Sequence, residues 1–267
     1  PGRGGQGAVE ARRVSEGSRG PAPDRTTSFT FSGCGFLTSY HMGAAQALMD
    51  RGFLTPSSLV AGASGGSLVA AIVAAGIPIT EAVTAQKEIA AHCRKYGTIG
   101  KVEGPLRIAL ASRFTDASAA LCCKRAIIAV TRLRPAPVAS PVLIDEFGSV
   151  DDLIGALVSS CYIPLYLSPR PTHAWRGGAY IDGGFHRICP PIPSFFGVMP
   201  FKTQWIPSPL LWGVDVPSMI TPSLTPGFPY SPAAQARNAL LPTTDDGIED
   251  MYHWGEKAAH VWADRRE

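Results

Sequence analysis

The stretch Leu59-Val60-Ala61-Gly62-Ala63-Ser64-Gly65-Gly66-Ser67-Leu68-Val69-Ala70-Ala71-Ile72-Val73-Ala74-Ala75 joins two apolar runs through a glycine-rich turn centred on a serine. Read as strand, turn and helix, it is a GxSxG nucleophile elbow. The glycines remove side chains that would clash in a tight turn, and the serine hydroxyl is held exposed ahead of a helix amino end. Free N–H groups and the positive end of the helix dipole then point to where an oxyanion would form. The bland alternative is a plain turn. A second alternative is a membrane span, because no charged residue occurs between Gly52 and Thr80. Pro56, Pro78 and the interrupting glycines Gly62, Gly65, Gly66 and Gly76 favour two short buried elements.

Upstream, Ser28–Phe31 reads as a short strand, followed by Gly33-Cys34-Gly35 and a helical pattern from Phe36 to Met49 that stops at Gly52. A glycine turn entering a helix binds anions, either a dinucleotide phosphate or a tetrahedral oxyanion. Thr38 stands where a GxGxxG fingerprint needs its third glycine, and no acidic ribose ligand accompanies the second turn, so the oxyanion reading is preferred. The N–H groups of Cys34 and Gly35 are its expected donors. The remaining alternative is a purely structural turn.

Tyr180-Ile181-Asp182-Gly183-Gly184 ends a short apolar strand on a carboxylate before two glycines. Alone this is an Asx-type turn. Together with Ser64 it predicts a Ser-Asp dyad, in which a dry pocket raises the basicity of Asp182. His186 is the closest histidine for a Ser-His-Asp triad; His41, His253 and His260 fall on predicted helices, and none has the late-chain glycine context of an α/β-hydrolase histidine.

A chain of 267 residues, 45% of them hydrophobic, supports one α/β domain. Residues 1–26 hold six glycines and only Val9 and Val14 as larger aliphatics, so a disordered tail is expected over 1–26 and a folded domain over 27–267. The tail's five arginines and three acids account for most of the net charge of +3, leaving a nearly neutral domain that does not suit nucleic acid. No apolar signal core precedes the domain, so secretion is not expected. Six cysteines without CxxC or metal-like spacing point to a reduced, intracellular protein, with no metal site.

Helices are predicted from a Thr80 cap towards Tyr96, from Asp116 through Ala129, and from Ser149 with Asp152 as a capping-box start. Short apolar strands such as Pro141 to Ile144 alternate with them, which supports a mainly parallel sheet. Between Ile188 and Pro232, prolines alternate with Phe195, Phe196, Met199, Phe201, Trp205, Trp212 and Phe228. This apolar lobe either flanks an acyl-chain groove or a lipid surface, or covers a sheet edge.

In order and spacing, Ser32-Gly33-Cys34-Gly35-Phe36-Leu37, Tyr40-His41-Met42-Gly43, Gly62-Ala63-Ser64-Gly65-Gly66 and Asp182-Gly183-Gly184 resemble the patatin-like phospholipase family. The GCGFL loop is most similar to the branch of adiponutrin and adipose triglyceride lipase. Ser149 to Pro164 and Leu241 to Gly255 extend the resemblance to roughly residues 27–262. It implies a three-layer α/β/α sandwich and hydrolysis of a lipid acyl ester, with Ser64 as nucleophile, Asp182 as base and Gly33, Cys34 and Gly35 as the oxyanion loop. No cofactor is implied. The expected partners are triacylglycerol, phospholipid or galactolipid, a lipid-droplet or membrane surface and a protein activator; the expected location is cytoplasmic, or peripheral on such a surface. A transacylase using the same serine and a catalytically silent lipid-binding or droplet-regulating protein are the alternatives. Thr38 and Ser67 depart from the family's usual glycine and alanine.

Overall fold

A computed structural model describes residues 27–134, 139–193, 195–211 and 213–267. The expected tail over 1–26 and Trp212 lie outside them. The strands are β1 (Ser28–Phe31), β2 (Val60–Ala63), β3 (Ala126–Arg134), β4 (Ser140–Ile144), β5 (His173–Trp175), β6 (Gly178–Asp182) and β7 (Phe195–Val198). The helices are α1 (Thr38–Asp50), α2 (Gly65–Ala75), α3 (Ile79–Tyr96), α4 (Glu103–Ala111), α5 (Asp116–Cys122), α6 (Val150–Ser160), α7 (Pro232–Leu240) and α8 (Asp245–Asp264).

The sheet runs β5-β6-β3-β2-β1-β7, with β4 also on β3. Its heart, β3-β2-β1-β7, is parallel. β6 and β4 lie antiparallel to β3, and β5 antiparallel to β6, so β5 again shares the direction of β3. Every residue of β1 and β2 is buried, which requires helices on both faces and explains why these strands read as continuous apolar runs. The domain is a three-layer α/β/α sandwich.

Two glycines set one helix crossing. A Cβ on Gly43 of α1 would overlap the Tyr252 carbonyl of α8, and one on Gly255 of α8 would overlap the Tyr40 carbonyl of α1. The helices touch backbone to backbone there. Nearby, Trp262 meets Phe29, Phe53 and Phe196 edge-on, tying α8 to the sheet.

Several expectations are corrected. Ala126–Ala129 is not helical: α5 ends at Cys122, Lys124 takes a left-handed φ of 61°, and the branched residues Ile127, Ile128, Val130 and Thr131 build β3, the central strand. The amino end of α3 falls at Pro78 without a side-chain cap, so Thr80 lies inside the first turn. Ser149 does cap α6 by accepting the Asp152 N–H, but Asp152 accepts from Gly148, outside a capping box. Pro141 to Ile144 forms a strand, although antiparallel to its neighbour β3. In the proline-rich lobe, Phe195 and Phe196 belong to β7, and the chain beyond it covers this sheet edge through Ile220, which bridges Val198, and a small core of Cys189, Met199 and Met219. Among the described residues no helix is long and apolar enough to cross a membrane.

Candidate active site

Strand register brings together residues that are remote in sequence. Ala63, the last residue of β2, sits opposite Ala129, and Asp182, the last residue of β6, sits opposite Val130. Ser64 and Asp182 therefore leave the sheet on either side of the same point of β3. The carbonyl of Ala129 fixes both turns: it accepts from Ser160 Oγ at 2.7 Å, and a Cβ on Gly183 would overlap it. Gly183 is needed for this close approach.

Ser64 adopts φ 52° and ψ −132°, an arrangement an L-residue rarely takes, between the end of β2 and the start of α2. The flanking glycines allow the turn. A Cβ on Gly62 would meet the Gly66 carbonyl, and one on Gly66 would meet the Phe31 carbonyl. One on Gly65 would come within 2.7 Å of Cys34 Sγ and 2.8 Å of Thr38 Oγ1, so the elbow and the glycine loop pack without side chains between them. The Ser64 N–H donates to Ser160 Oγ at 2.9 Å, and Ser67 Oγ donates to the Ser64 carbonyl at 2.7 Å.

Asp182 is buried. Its Oδ1 accepts the Gly184 N–H at 2.7 Å, closing the Asx turn expected from sequence. Its Oδ2 has no partner with full hydrogen-bond geometry, yet Ser64 lies near enough to act on the carboxyl. Burial pushes the Asp182 pKa up to about 6, against the opposing pull of the Ser64 hydroxyl and the Gly184 N–H. Such a carboxylate is a stronger base than an exposed one and is largely ionised at neutral pH.

The loop Gly33-Cys34-Gly35 overhangs this pair. A Cβ on Gly33 would stand 3.6 Å from Ser64 Cβ. The Gly33 N–H is committed to the Ile188 carbonyl at 2.8 Å, so Gly33 anchors the loop and does not offer its amide. The N–H groups of Cys34 and Gly35 donate to no carbonyl of the described residues. Gly65 adds the amino end of α2; of its first-turn N–H groups, that of Ser67 is taken by the Ser64 carbonyl at 2.8 Å. Thr38 Oγ1 donates to the Gly35 carbonyl at 2.7 Å, which gives the departure from glycine a local purpose. The Cys34 thiol is pushed up to about 12 by burial, so it stays protonated.

No histidine joins the pair. His186 is exposed. His41 is buried on α1, bonded through Nε2 to the Ser32 carbonyl at 2.9 Å and edge-on to Phe31, with its pKa pushed down to about 4 by burial. His253 and His260 lie on α8 beside Glu256 and Arg51.

Ser64 opens onto an apolar cavity. Ser64, at the cap of α2, and Leu68 and Ile72 within it, four residues apart, line one side of the cavity with Ala85 and Ile89 of α3 and Leu106 and Leu110 of α4. Most polar wall groups are already engaged: Gln86 Nε2 with the Phe36 carbonyl, and Arg113 with Glu88. An apolar slot ending on a serine suits an extended hydrocarbon chain. None of the described residues of the proline-rich lobe lines this wall. The sequence pattern marks α3 only as a helix, does not mark α4 and gives Ser160 no role in the site; the small residues Ala82, Ala85 and Ala109 among larger apolar ones were the available signal of a cavity. Among the described residues no cluster could hold a metal ion.

A model of the patatin-like phospholipase family matches residues 29–193. The 1-acylglycerol-3-phosphate O-acyltransferase Pnpla3 of Mus musculus is 31% identical over 61% of this chain and 40% of its own length. The omega-hydroxyceramide transacylase of Homo sapiens is 33% identical over 63% of this chain and 32% of its own. Patatin-like phospholipase domain-containing protein 2 of Rattus norvegicus is 32% identical over 66% of this chain and 38% of its own. The chain thus spans well under half the length of these three relatives.

Proposed function

The chain belongs to the patatin-like phospholipase family, and on that premise we propose that it is a serine-dependent lipid acyl hydrolase using Ser64 and Asp182 as a dyad. The observation that carries this reading is Ser64 itself, held at φ 52° on the floor of an apolar cavity beside a buried carboxylate.

Asp182 accepts the Ser64 Oγ proton as Oγ bonds to the ester carbonyl carbon. The carbonyl oxygen becomes an oxyanion held by the N–H groups of Cys34 and Gly35, with the α2 amino end behind them. Collapse breaks the bond to the alcohol, which leaves with the proton from Asp182, and an acyl-serine remains with its chain in the slot. Water then gives a proton to Asp182, attacks the acyl carbon and releases a fatty acid as Ser64 regains its proton. Nothing in this sequence needs a cofactor.

Two of the similar proteins bear names of acyl transfer to an acceptor other than water. In the same site a lipid alcohol would replace water in the second half of the reaction. We infer triacylglycerol, phospholipid or galactolipid as the substrate class. A droplet or membrane surface inside the cell is the inferred place of work, with a protein activator among the partners.

The deciding experiment is fluorophosphonate labelling of the wild type, Ser64→Ala and Asp182→Asn, with the labelled peptide located by mass spectrometry. Label on Ser64, lost in Ser64→Ala, is the expected result. Folded wild type that takes no label, with or without lipid vesicles, would leave the silent lipid-binding reading. Products formed with added diacylglycerol separate hydrolysis from transfer.

A further inference from the structure

Three segments, residues 94–101, 163–170 and 237–243, are bonded to one another in a frame, and the second of them lines the cavity beside Ser64. The Gly100 N–H donates to the Tyr166 carbonyl at 2.6 Å, the Tyr166 hydroxyl to the Leu240 carbonyl, and the Arg94 guanidinium to the Thr243 carbonyl. The frame is continuous with the site: Ile163, Tyr166 and Leu167 line the cavity, and the Ala239 backbone packs directly on Gly35 of the glycine loop.

Large apolar side chains are exposed at nine described positions, and five of them, Tyr96, Ile99, Leu165, Leu240 and Leu241, stand on this frame. Ile99 is 71% exposed and Leu165 60%. Leu165 is also held at φ 62°, a strained conformation for a leucine, while its side chain is largely exposed. Scattered exposed leucines are ordinary, whereas a strained one within a cluster on segments bonded to a cavity wall calls for a partner.

Charge identifies the partner. The three segments hold Arg94, Lys95, Lys101, Arg170 and Arg237 and no acidic residue, in a chain whose whole formal charge is +3. Arg94 and Arg170 are paired with Asp245 and Glu103. Lys95 sits over the Tyr96 ring and Lys101 Nζ donates to the Tyr96 carbonyl, so both ammonium groups are placed beside the apolar residues. Basic side chains interleaved with exposed aliphatic ones match a surface of anionic headgroups over acyl chains.

We propose that this frame is the face by which the protein docks on an anionic phospholipid surface. Ile99, Leu165, Leu240 and Leu241 enter the boundary of headgroup and acyl chain, while Lys95, Lys101 and Arg237 meet the phosphates. Docked this way, the cavity mouth opens towards the lipid, so an acyl chain can enter the slot without crossing water. The biological sense of the proposal rests on the lipid-hydrolase reading, but docking needs no catalysis.

The test is flotation of the Ser64→Ala protein with vesicles of phosphatidylcholine alone and of phosphatidylcholine with phosphatidylserine. Binding to the anionic vesicles that weakens with added salt is expected. Ile99→Ser with Leu165→Ser lowers it by about tenfold or more, and Lys95→Glu with Lys101→Glu reduces it to the neutral-vesicle level. Ile108→Ser with Leu121→Ser, both exposed away from the frame, binds like the parent. Leu165→Gly, which relieves the backbone strain, is the companion variant should the double serine variant not fold; it also loses affinity. Equal binding to neutral vesicles, undiminished binding of the frame variants, or equal loss in the control pair would overturn the proposal. Fluorophosphonate labelling that fails while docking persists removes the hydrolase reading alone; labelling with docking absent removes only this one.

Discussion

The N–H of Ser64 donates to the hydroxyl of Ser160 at 2.9 Å, and that same hydroxyl donates to the Ala129 carbonyl at 2.7 Å. One buried side chain at the end of α6 thus fixes the strained residue of the elbow to the central strand. Removing it leaves a buried donor and acceptor unpaired, a cost of about 1–3 kcal/mol. Ser160→Ala is expected to fold with a lowered melting temperature and a reduced kcat, with KM for a short monomeric ester nearly unchanged. A fall in Tm without any change in kcat would reduce Ser160 to a structural part.

The burial of Asp182 gives a pH dependence of known sign. Its carboxyl, pushed up to about 6, must be ionised to accept the Ser64 proton, so kcat/KM is expected to rise roughly tenfold per pH unit below that value and level off above it. An activity profile that stays flat down to pH 4.5 contradicts Asp182 as base.

The same shift bears on stability. With the folded pKa above the unfolded one, the folded state holds the proton more tightly between about pH 4 and 6, so stability is fullest below that window and falls as pH rises through it. Asp182→Asn keeps the acceptor for Gly184 and never has to bury a charge. It is expected to be more stable than wild type at pH 8 by up to about 3 kcal/mol, with the advantage gone at pH 4, while turnover is lost. Thermal melts of the two proteins at both pH values check this.

What the sequence made legible was local and glycine-dependent. The turns at Gly33 to Gly35, Gly62 to Gly66 and Asp182 to Gly184 could be seen because close backbone approach demands glycine at fixed positions, and Gly43 and Gly255 were already visible in the segments that resembled a known family. The pattern could not show that Ala126–Arg134 is the strand on which these turns converge. A short buried strand and a helix end look alike there, and only the break at Lys124 separates them. The cavity was hidden for another reason: Ala85, Leu106 and Leu110 obey the same helical spacing whether they face a core or a slot. Gly33 shows the limit within a motif, since its amide is engaged by the Ile188 carbonyl, a partner outside every motif.

His186 follows Asp182 closely in sequence, yet it is exposed. His186→Ala is expected to retain activity within about twofold, whereas loss of a triad histidine costs orders of magnitude. Steady-state rates on a soluble ester decide between them.

The stripe Ser64, Leu68 and Ile72 makes acyl-chain length a property of the opposite wall, where Ala109 of α4 is a small residue. Ala109→Phe fills part of the slot, so a long chain would have to leave some methylenes in water, each worth about 0.8 kcal/mol or roughly a fourfold change in rate. Short esters do not reach the obstruction. The ratio of kcat/KM for a long-chain to a short-chain ester should therefore drop by at least about tenfold, with activity on the short ester preserved. Equal loss on both would mean that the substitution disturbs Ser64 itself, and no change on either would show that the bound chain takes a different path from the stripe on α2.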